Sequence, residues 1–255
     1  MPERCQYCAK KSSAAAPRRD HISPAGAGMV YGPQMILTFD NMIPENALAE
    51  IREAFARISF HDGRASAGAQ AKLVKANLEA VPGDPVAEPI KQALSDAIFR
   101  HPEFRLATRV KRIAPIKLSR YQPGMAYGSH VDHPLSGGDF RRDVSFTLFL
   151  SAPETYDGGA LVIEDGAGER KVKLPAGSMV TYPSTTLHRV EEVTRGERLA
   201  AVGWVHSMVR DAQQREILYD LNVARLDLFD QYGKSKNSDL LAKTAAQLLH
   251  MWIEP

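Results

Sequence analysis

The chain has 255 residues, 44% of them apolar and 24% charged, enough for one core-forming unit with appendages or two small ones. Its 32 basic and 30 acidic groups leave a net charge of +2, too balanced for a phosphate-backbone binder, and its longest apolar runs fall far short of the roughly 20 residues of a bilayer helix. Nucleic acid and membrane are therefore not expected partners.

Residues 1–34 carry five basic and two acidic groups among Ala, Ser, Gly and Pro, without apolar periodicity, and are expected to form a disordered tail. Cys5 and Cys8, the only cysteines, sit within it, so no disulfide can staple the body, which suits a reducing, cytoplasmic setting. No second Cys or His pair follows at zinc-finger spacing, so the pair reads as incidental. Order is expected to begin with a short strand at Met35–Phe39. After Pro44, Leu48, Ile51, Phe55 and Ile58 recur at the period of an amphipathic helix, and Ile90, Leu94, Ala97 and Ile98 mark a second helix over 86–99.

From about 104 to 206 the period changes. Short runs at 109–113, 117–121, 143–150, 160–164, 170–174, 178–182, 187–192 and 198–206 are separated by Gly- and Pro-containing turns, which predicts an α+β, mainly β chain built on a sandwich or jelly roll. The helical period returns after 210, with Leu218, Leu221 and Leu228, then Leu240, Leu241 and Leu248. These helices either pack on the sheets or supply a homodimer contact. The expected organisation is a tail over 1–34, a main domain over 35–210 and a helical extension over 211–255.

His130-Val131-Asp132 places two ligand-capable side chains at i and i+2, on the same side of an extended chain. Roughly half of one His-x-Asp is expected by chance at this composition, so the triplet needs company. His188 on a later strand and Arg198 on the next provide it. Two imidazoles and one carboxylate on one face leave open octahedral positions, the facial triad of non-haem Fe(II) oxygenases. A 2-keto acid can fill two of those positions and dioxygen a third, while a guanidinium such as Arg198 holds a distal carboxylate by a bidentate, charge-assisted pair.

The runs Arg120-Tyr121-Gln122-Pro123-Gly124-Met125-Ala126-Tyr127-Gly128-Ser129-His130-Val131-Asp132, Tyr182-Pro183-Ser184-Thr185-Thr186-Leu187-His188-Arg189-Val190 and Val193-Thr194-Arg195-Gly196-Glu197-Arg198 resemble the bacterial PKHD-type hydroxylases, Fe(II)/2-oxoglutarate-dependent dioxygenases related to prolyl hydroxylases. The resemblance implies a double-stranded β-helix core flanked by N-terminal and C-terminal helices. It further implies that His130, Asp132 and His188 are catalytic iron ligands, that Arg198 anchors 2-oxoglutarate, and that Tyr121 hydrogen-bonds the bound keto acid. The implied reaction consumes dioxygen, hydroxylates a substrate C–H bond and releases succinate and carbon dioxide, with L-ascorbate as an auxiliary. Related halogenases leave the carboxylate position vacant, so Asp132 favours hydroxylation.

Where the family often reads Lys-Asn-Asn-x-Gln, this chain has Lys75-Ala76-Asn77-Leu78-Glu79, a departure at Ala76 and Glu79 that bears on substrate preference. The substrate implied by kinship is prolyl or otherwise peptidyl, with a small metabolite equally compatible. The rival reading is a non-catalytic, cupin-like metal-binding jelly roll, but a cupin would show His-x-His followed shortly by Glu. Among the remaining polar residues, Tyr127 could face a substrate, Arg64 and Lys72 read as surface charge, and Arg141-Arg142-Asp143 open a strand at the cleft mouth or at a solvated end. The other histidines, His133 and His206 included, read as structural or exposed.

Overall fold

The computed structural model describes residues 35–254. The tail expected over 1–34, with Cys5 and Cys8, lies outside the described residues. The architecture is a mixed helix–sheet fold with large antiparallel sheets. The chain begins with β1 (Leu37–Phe39) and α1 (Glu45–Phe55), followed by β2 (Phe60–Asp62), α2 (Ala69–Leu73), β3 (Lys75–Ala76) and β4 (Leu78–Ala80). Helices α3 (Ala87–Arg100) and α4 (Pro102–Thr108) lead into β5 (Val110–Ile113), β6 (Lys117–Tyr121), β7 (Ala126–His130), β8 (Val144–Phe149) and β9 (Asp157–Gly158). Strands β10 (Leu161–Asp165), β11 (Gly168–Val172), β12 (Met179–Pro183), β13 (His188–Val190), β14 (Val193–Arg195) and β15 (Arg198–Ser207) follow, and α5 (Ala212–Tyr232) and α6 (Lys236–Trp252) come last.

The major sheet runs β1-β12-β8-β15-β6-β4-β2, with β5 paired to the far end of β15, and the minor sheet runs β11-β10-β13-β7-β3. A two-stranded ribbon, β14-β9, sits apart from both. Side-chain parity explains how the major sheet serves two layers. In β8, Val144, Phe146 and Leu148 join a core cluster with Leu48, Phe55, Leu94, Ile98 and Phe104 of the helices. Ser145, Thr147 and Phe149 take the other parity. Phe149 packs with Leu161, Ile163 and Val190 of the minor sheet, and all six residues of β8 are buried.

The same division governs β15. Leu199, Ala201 and Val205 enter the helix-side core, while Arg198, Val202 and Trp204 line the space between the sheets. On the helix side, Gly203 lies opposite Phe146, and an added Cβ would come within 2.5 Å of that ring, so the glycine is required for close approach.

The C-terminal helices are tied to this body. Tyr219 of α5 joins the helix-side core, the fully buried Arg215 donates to the Val209 and Arg210 carbonyls, and Arg141 pairs with Glu254 at 2.6 Å. Ile217, Phe229, Tyr232, Leu240 and Met251 remain exposed. No helix among the described residues is long and apolar enough to cross a membrane.

Several short elements add to the predicted ones. They are β7, the β2–β4 segment, α4 with Pro102 in its first turn and His101 capping Phe104, and the β9–β14 ribbon. The single run expected over 187–192 is the three-residue β13, after which the chain turns into β14. Leu148, fully buried on the helix side, tests the layer assignment: Leu148→Ala should lower unfolding free energy by about 2–5 kcal/mol in urea titrations, against at most about 0.5 kcal/mol for Leu135→Ala at a half-exposed site.

Candidate active site

Strands β7 and β13 pair antiparallel with His188 directly opposite His130. Asp132 follows β7 at the same parity as His130. One ligand-capable atom from each of the three lies within 4.8 Å of the others, a cluster able to hold a metal ion. The ring centroids of His130 and His188 are 4.2 Å apart, and His188 Nε2 lies 3.8 Å from Asp132 Oδ2.

Neighbouring groups fix how each side chain is presented. His130 Nδ1 lies 2.9 Å from the Gly128 carbonyl and His188 Nδ1 lies 3.0 Å from the Thr186 carbonyl. A carbonyl only accepts, so each Nδ1 carries a proton and Nε2 is the ring nitrogen left to ligate a metal. Burial and the adjacent His188 push the His130 imidazole down to about 4, so it is neutral at physiological pH. Tyr127 stacks on His130 with a 3.6 Å centroid separation. Ser145 Oγ donates to Asp132 Oδ2 at 2.6 Å and lies 2.8 Å from Ser184 Oγ, which locks the carboxylate rotamer.

The cluster opens into a cavity of about 640 Å³ between the sheets, and Arg198 and Tyr121 line the same cavity. Arg198 is 1% exposed, stands opposite Tyr121 in the β15–β6 register, and forms no ion pair with any carboxylate among the described residues. Its guanidinium packs against the Tyr121 and Phe149 rings, and its Nε has no hydrogen-bond partner. An unpaired buried cation is costly, so this one fits an anionic ligand group that enters the cavity. Burial pushes the Tyr121 phenol up to about 12, which keeps it a hydrogen-bond donor.

The base of β15 is pinned beside it. Ser151 Oγ accepts from the Leu199 amide at 2.8 Å and donates to the Glu197 carbonyl at 3.0 Å. Gly159, at φ +62, lies so close that an added Cβ would stand 3.1 Å from Arg198 Cδ.

His130, Asp132, His188, Arg198 and Tyr121 thus line one cavity, and Tyr127 lines it with them. Arg64 is an exposed partner of Asp62, and Lys72 is exposed. His133 is exposed, and the buried His206 lies 3.0 Å from Arg112 and packs edge-on against Phe140, a structural role. Sequence reasoning missed Ser145, Ser184 and Trp204. The polar residues at alternate positions of the otherwise apolar β8 are the signal that could have revealed Ser145.

Fold and site together define a 2-oxoglutarate-dependent Fe(II) oxygenase. Residues 116–206 match the 2OG-Fe(II) oxygenase superfamily. A PKHD-type hydroxylase of Acaryochloris marina is 49% identical over 220 residues, 86% of this chain and all of that protein, and one of Crocosphaera subtropica is 48% identical over 222 residues with the same coverage.

The chain belongs to the PKHD-type hydroxylases and is an oxygenase that hydroxylates its substrate at the expense of 2-oxoglutarate. This disposes of the cupin-like binding module. Two solved structures share the fold. One is a Trichoplax adhaerens prolyl hydroxylase in complex with a hypoxia inducible factor peptide fragment (TM-score 0.51, 14% identity, 72% of this chain and 86% of that one). The other is a 2OG-Fe(II) family oxidoreductase from Burkholderia pseudomallei (TM-score 0.50, 18% identity, 66% and 82%).

The depressed His130 value has a consequence for the protein stripped of metal. An unfolded chain takes up the proton near pH 6.5, whereas the fold resists it until about 4, so the unfolded state binds more protons across that interval. Stability should therefore fall as pH drops from about 6.5 to about 4. Urea midpoints of chelator-treated protein at pH 7 and pH 5 should differ more for the native sequence than for His130→Gln.

Proposed function

We propose that His130, Asp132 and His188 hold the ferrous ion and that Arg198 receives the distal carboxylate of 2-oxoglutarate, with Tyr121 donating to the same cosubstrate. The observation that carries this reading is the convergence of three ligand atoms within 4.8 Å in a cavity that also contains a buried, acid-free guanidinium. The donor set suits the metal, since two imidazoles and one carboxylate offer nitrogen and oxygen ligands. When bound, Fe(II) with 2-oxoglutarate supplies the dioxygen activation that hydroxylates a C–H bond and yields succinate and carbon dioxide.

The protein's part is orientation and shielding. The Gly128 and Thr186 carbonyls hold both imidazoles in the ligating tautomer, and Ser145 holds the carboxylate. Leu161, Val190 and Tyr182 form apolar wall around the site, which excludes water from the reacting face. The fold reading is a double-stranded β-helix flanked by N-terminal and C-terminal helices, with the oxygenase domain over 35–210 and a helical extension over 211–255.

The substrate is a small molecule or peptide, with a prolyl or other peptidyl C–H bond as the family-based reading. L-ascorbate serves as auxiliary reductant, also on family grounds. The balanced charge supports a protein that engages neither nucleic acid nor membrane, and the placement of both cysteines outside the body supports the cytoplasm. Exposed Leu240, Met251 and Phe229 on α5 and α6 support a homodimer through the C-terminal helices.

Anaerobic addition of Fe(II) and 2-oxoglutarate should produce a visible metal-to-ligand charge-transfer band. His188→Ala should abolish the band and substrate-dependent succinate formation while the circular dichroism spectrum is kept. Arg198→Gln should weaken 2-oxoglutarate binding by about 10- to 150-fold, the range of a lost charge-assisted hydrogen bond, measured by titrating the same band. An unchanged band in either variant contradicts the assignment. Ser145→Ala should lower metal affinity by about 10- to 100-fold without removing a ligand, read by competition with a chelator.

A further inference from the structure

Beyond the metal cluster and Arg198, the cavity is lined by three cations, Lys75, Lys117 and Arg142, but by one further carboxylate, Glu79. Glu79 is shared: Lys75 Nζ lies 2.5 Å from its Oε1 and Lys117 Nζ lies 3.4 Å from its Oε2. Arg142 forms no ion pair among the described residues. Its guanidinium carbon lies 3.9 Å from the centre of the Trp204 indole, and Lys117 Nζ approaches the same ring at 5.7 Å. Stacking satisfies a guanidinium's flat face and leaves its edge donors unused. Arg142 Nε and the Trp204 indole N–H are both buried without an acceptor. A second cavity of about 440 Å³ shares Lys117, Glu79 and Trp204 as lining, so these residues form the waist between the two spaces.

With Asp132 committed to the metal and Arg198 to the cosubstrate, the first cavity at this waist retains a surplus of two positive charges, Lys75, Lys117 and Arg142 against Glu79, and two buried donors without acceptors. We infer that the waist is a substrate-recognition site, and that the substrate carries an oxyanion, a carboxylate or a phosphate, taken by Arg142 with Lys117 beside Trp204. Glu79 limits the surplus by neutralising one ammonium and fixing the positions of Lys75 and Lys117. The inference deepens the proposed function and rests on it, since it assumes that 2-oxoglutarate occupies Arg198.

The test uses the full chain carrying Trp252→Phe, which leaves Trp204 as its only tryptophan. The protein is saturated anaerobically with Fe(II) and 2-oxoglutarate, and Trp204 emission is followed during titration with the N-acetyl, C-terminal N-methylamide derivatives of aspartate, glutamate and phosphoserine, against those of asparagine and glutamine, so that the side chain carries the sole oxyanion of each acid. A saturable change with an acid, at least ten-fold weaker with its amide and at least ten-fold weaker in Arg142→Gln, supports the site. The tighter of carboxylate and phosphate identifies the oxyanion. No saturable response to any acid, an equal response to the amides, or an unaltered response in Arg142→Gln overturns it. The charge-transfer band keeps the two readings apart: it should persist in Arg142→Gln, whereas its absence from the parent protein indicts the cosubstrate assignment instead.

Discussion

The register between β7 and β13 is the constraint on which the site depends. His188 faces His130 because these two strands pair at that step, although nearly sixty residues separate them along the chain. Antiparallel partners on one face stand about 5 Å apart, which brings two imidazoles within reach of one ion without distortion. A slip of one residue would turn both rings to opposite faces. The pairing is held from the far side by β3, whose Val74 neighbour packs so tightly on Gly128 that an added Cβ would come within 2.8 Å of it. The short strands around the site are thus clamps that set the position of His130.

Parity in the major sheet explains how a buried polar site coexists with a stable core. β6, β8 and β15 each send apolar residues to the helices, and their other parity carries Ser119, Ser145, Thr147, Arg198 and Trp204 toward the cavity. Burying such groups is unfavourable unless each finds a partner. Ser145 finds Asp132 and Ser184, whereas Arg198, Arg142 and Trp204 keep buried donors without acceptors. Three buried donors without acceptors thus face the cavity, and the complementary core on the helix side supplies the packing that supports them.

The same parity decides what could be read from sequence. The helices at 45–55 and 87–100 and the long strands β8, β12 and β15 were legible because their apolar residues face a core and so recur with a clear period. His130, Asp132, His188 and Arg198 were legible as a constellation, because a proposed metal and cosubstrate site calls for particular residue types at set points along the chain. β7 was not legible as a strand: Ala-Tyr-Gly-Ser-His is half-exposed, interrupted by glycine, and shaped by its neighbours instead of a core. The two- and three-residue strands β2 to β4 carry too few side chains for any period. Ser145 and Trp204 sit at positions where the binary pattern predicts a core residue. Their roles come from what lies across the cavity, a relation between distant segments that only the fold reveals.

Placement of the cations then bears on the order of binding. Arg198 lies against Tyr121 and Phe149, while Arg142 and Lys117 flank Trp204 elsewhere in the same cavity, so the cavity offers two separate cationic positions. Cations along a low-dielectric passage raise the local concentration of anions, which favours entry of 2-oxoglutarate. On the proposed assignment it is retained at Arg198, which is buried and pairs with no carboxylate among the described residues, whereas Lys117 is engaged by Glu79 and Arg142 is more exposed to water. With Arg198 so occupied, Arg142 keeps unused edge donors for a second anion. Two acidic molecules can therefore occupy one cavity in sequence without exchanging places, and the feature that separates them is the difference in burial between Arg198 and Arg142.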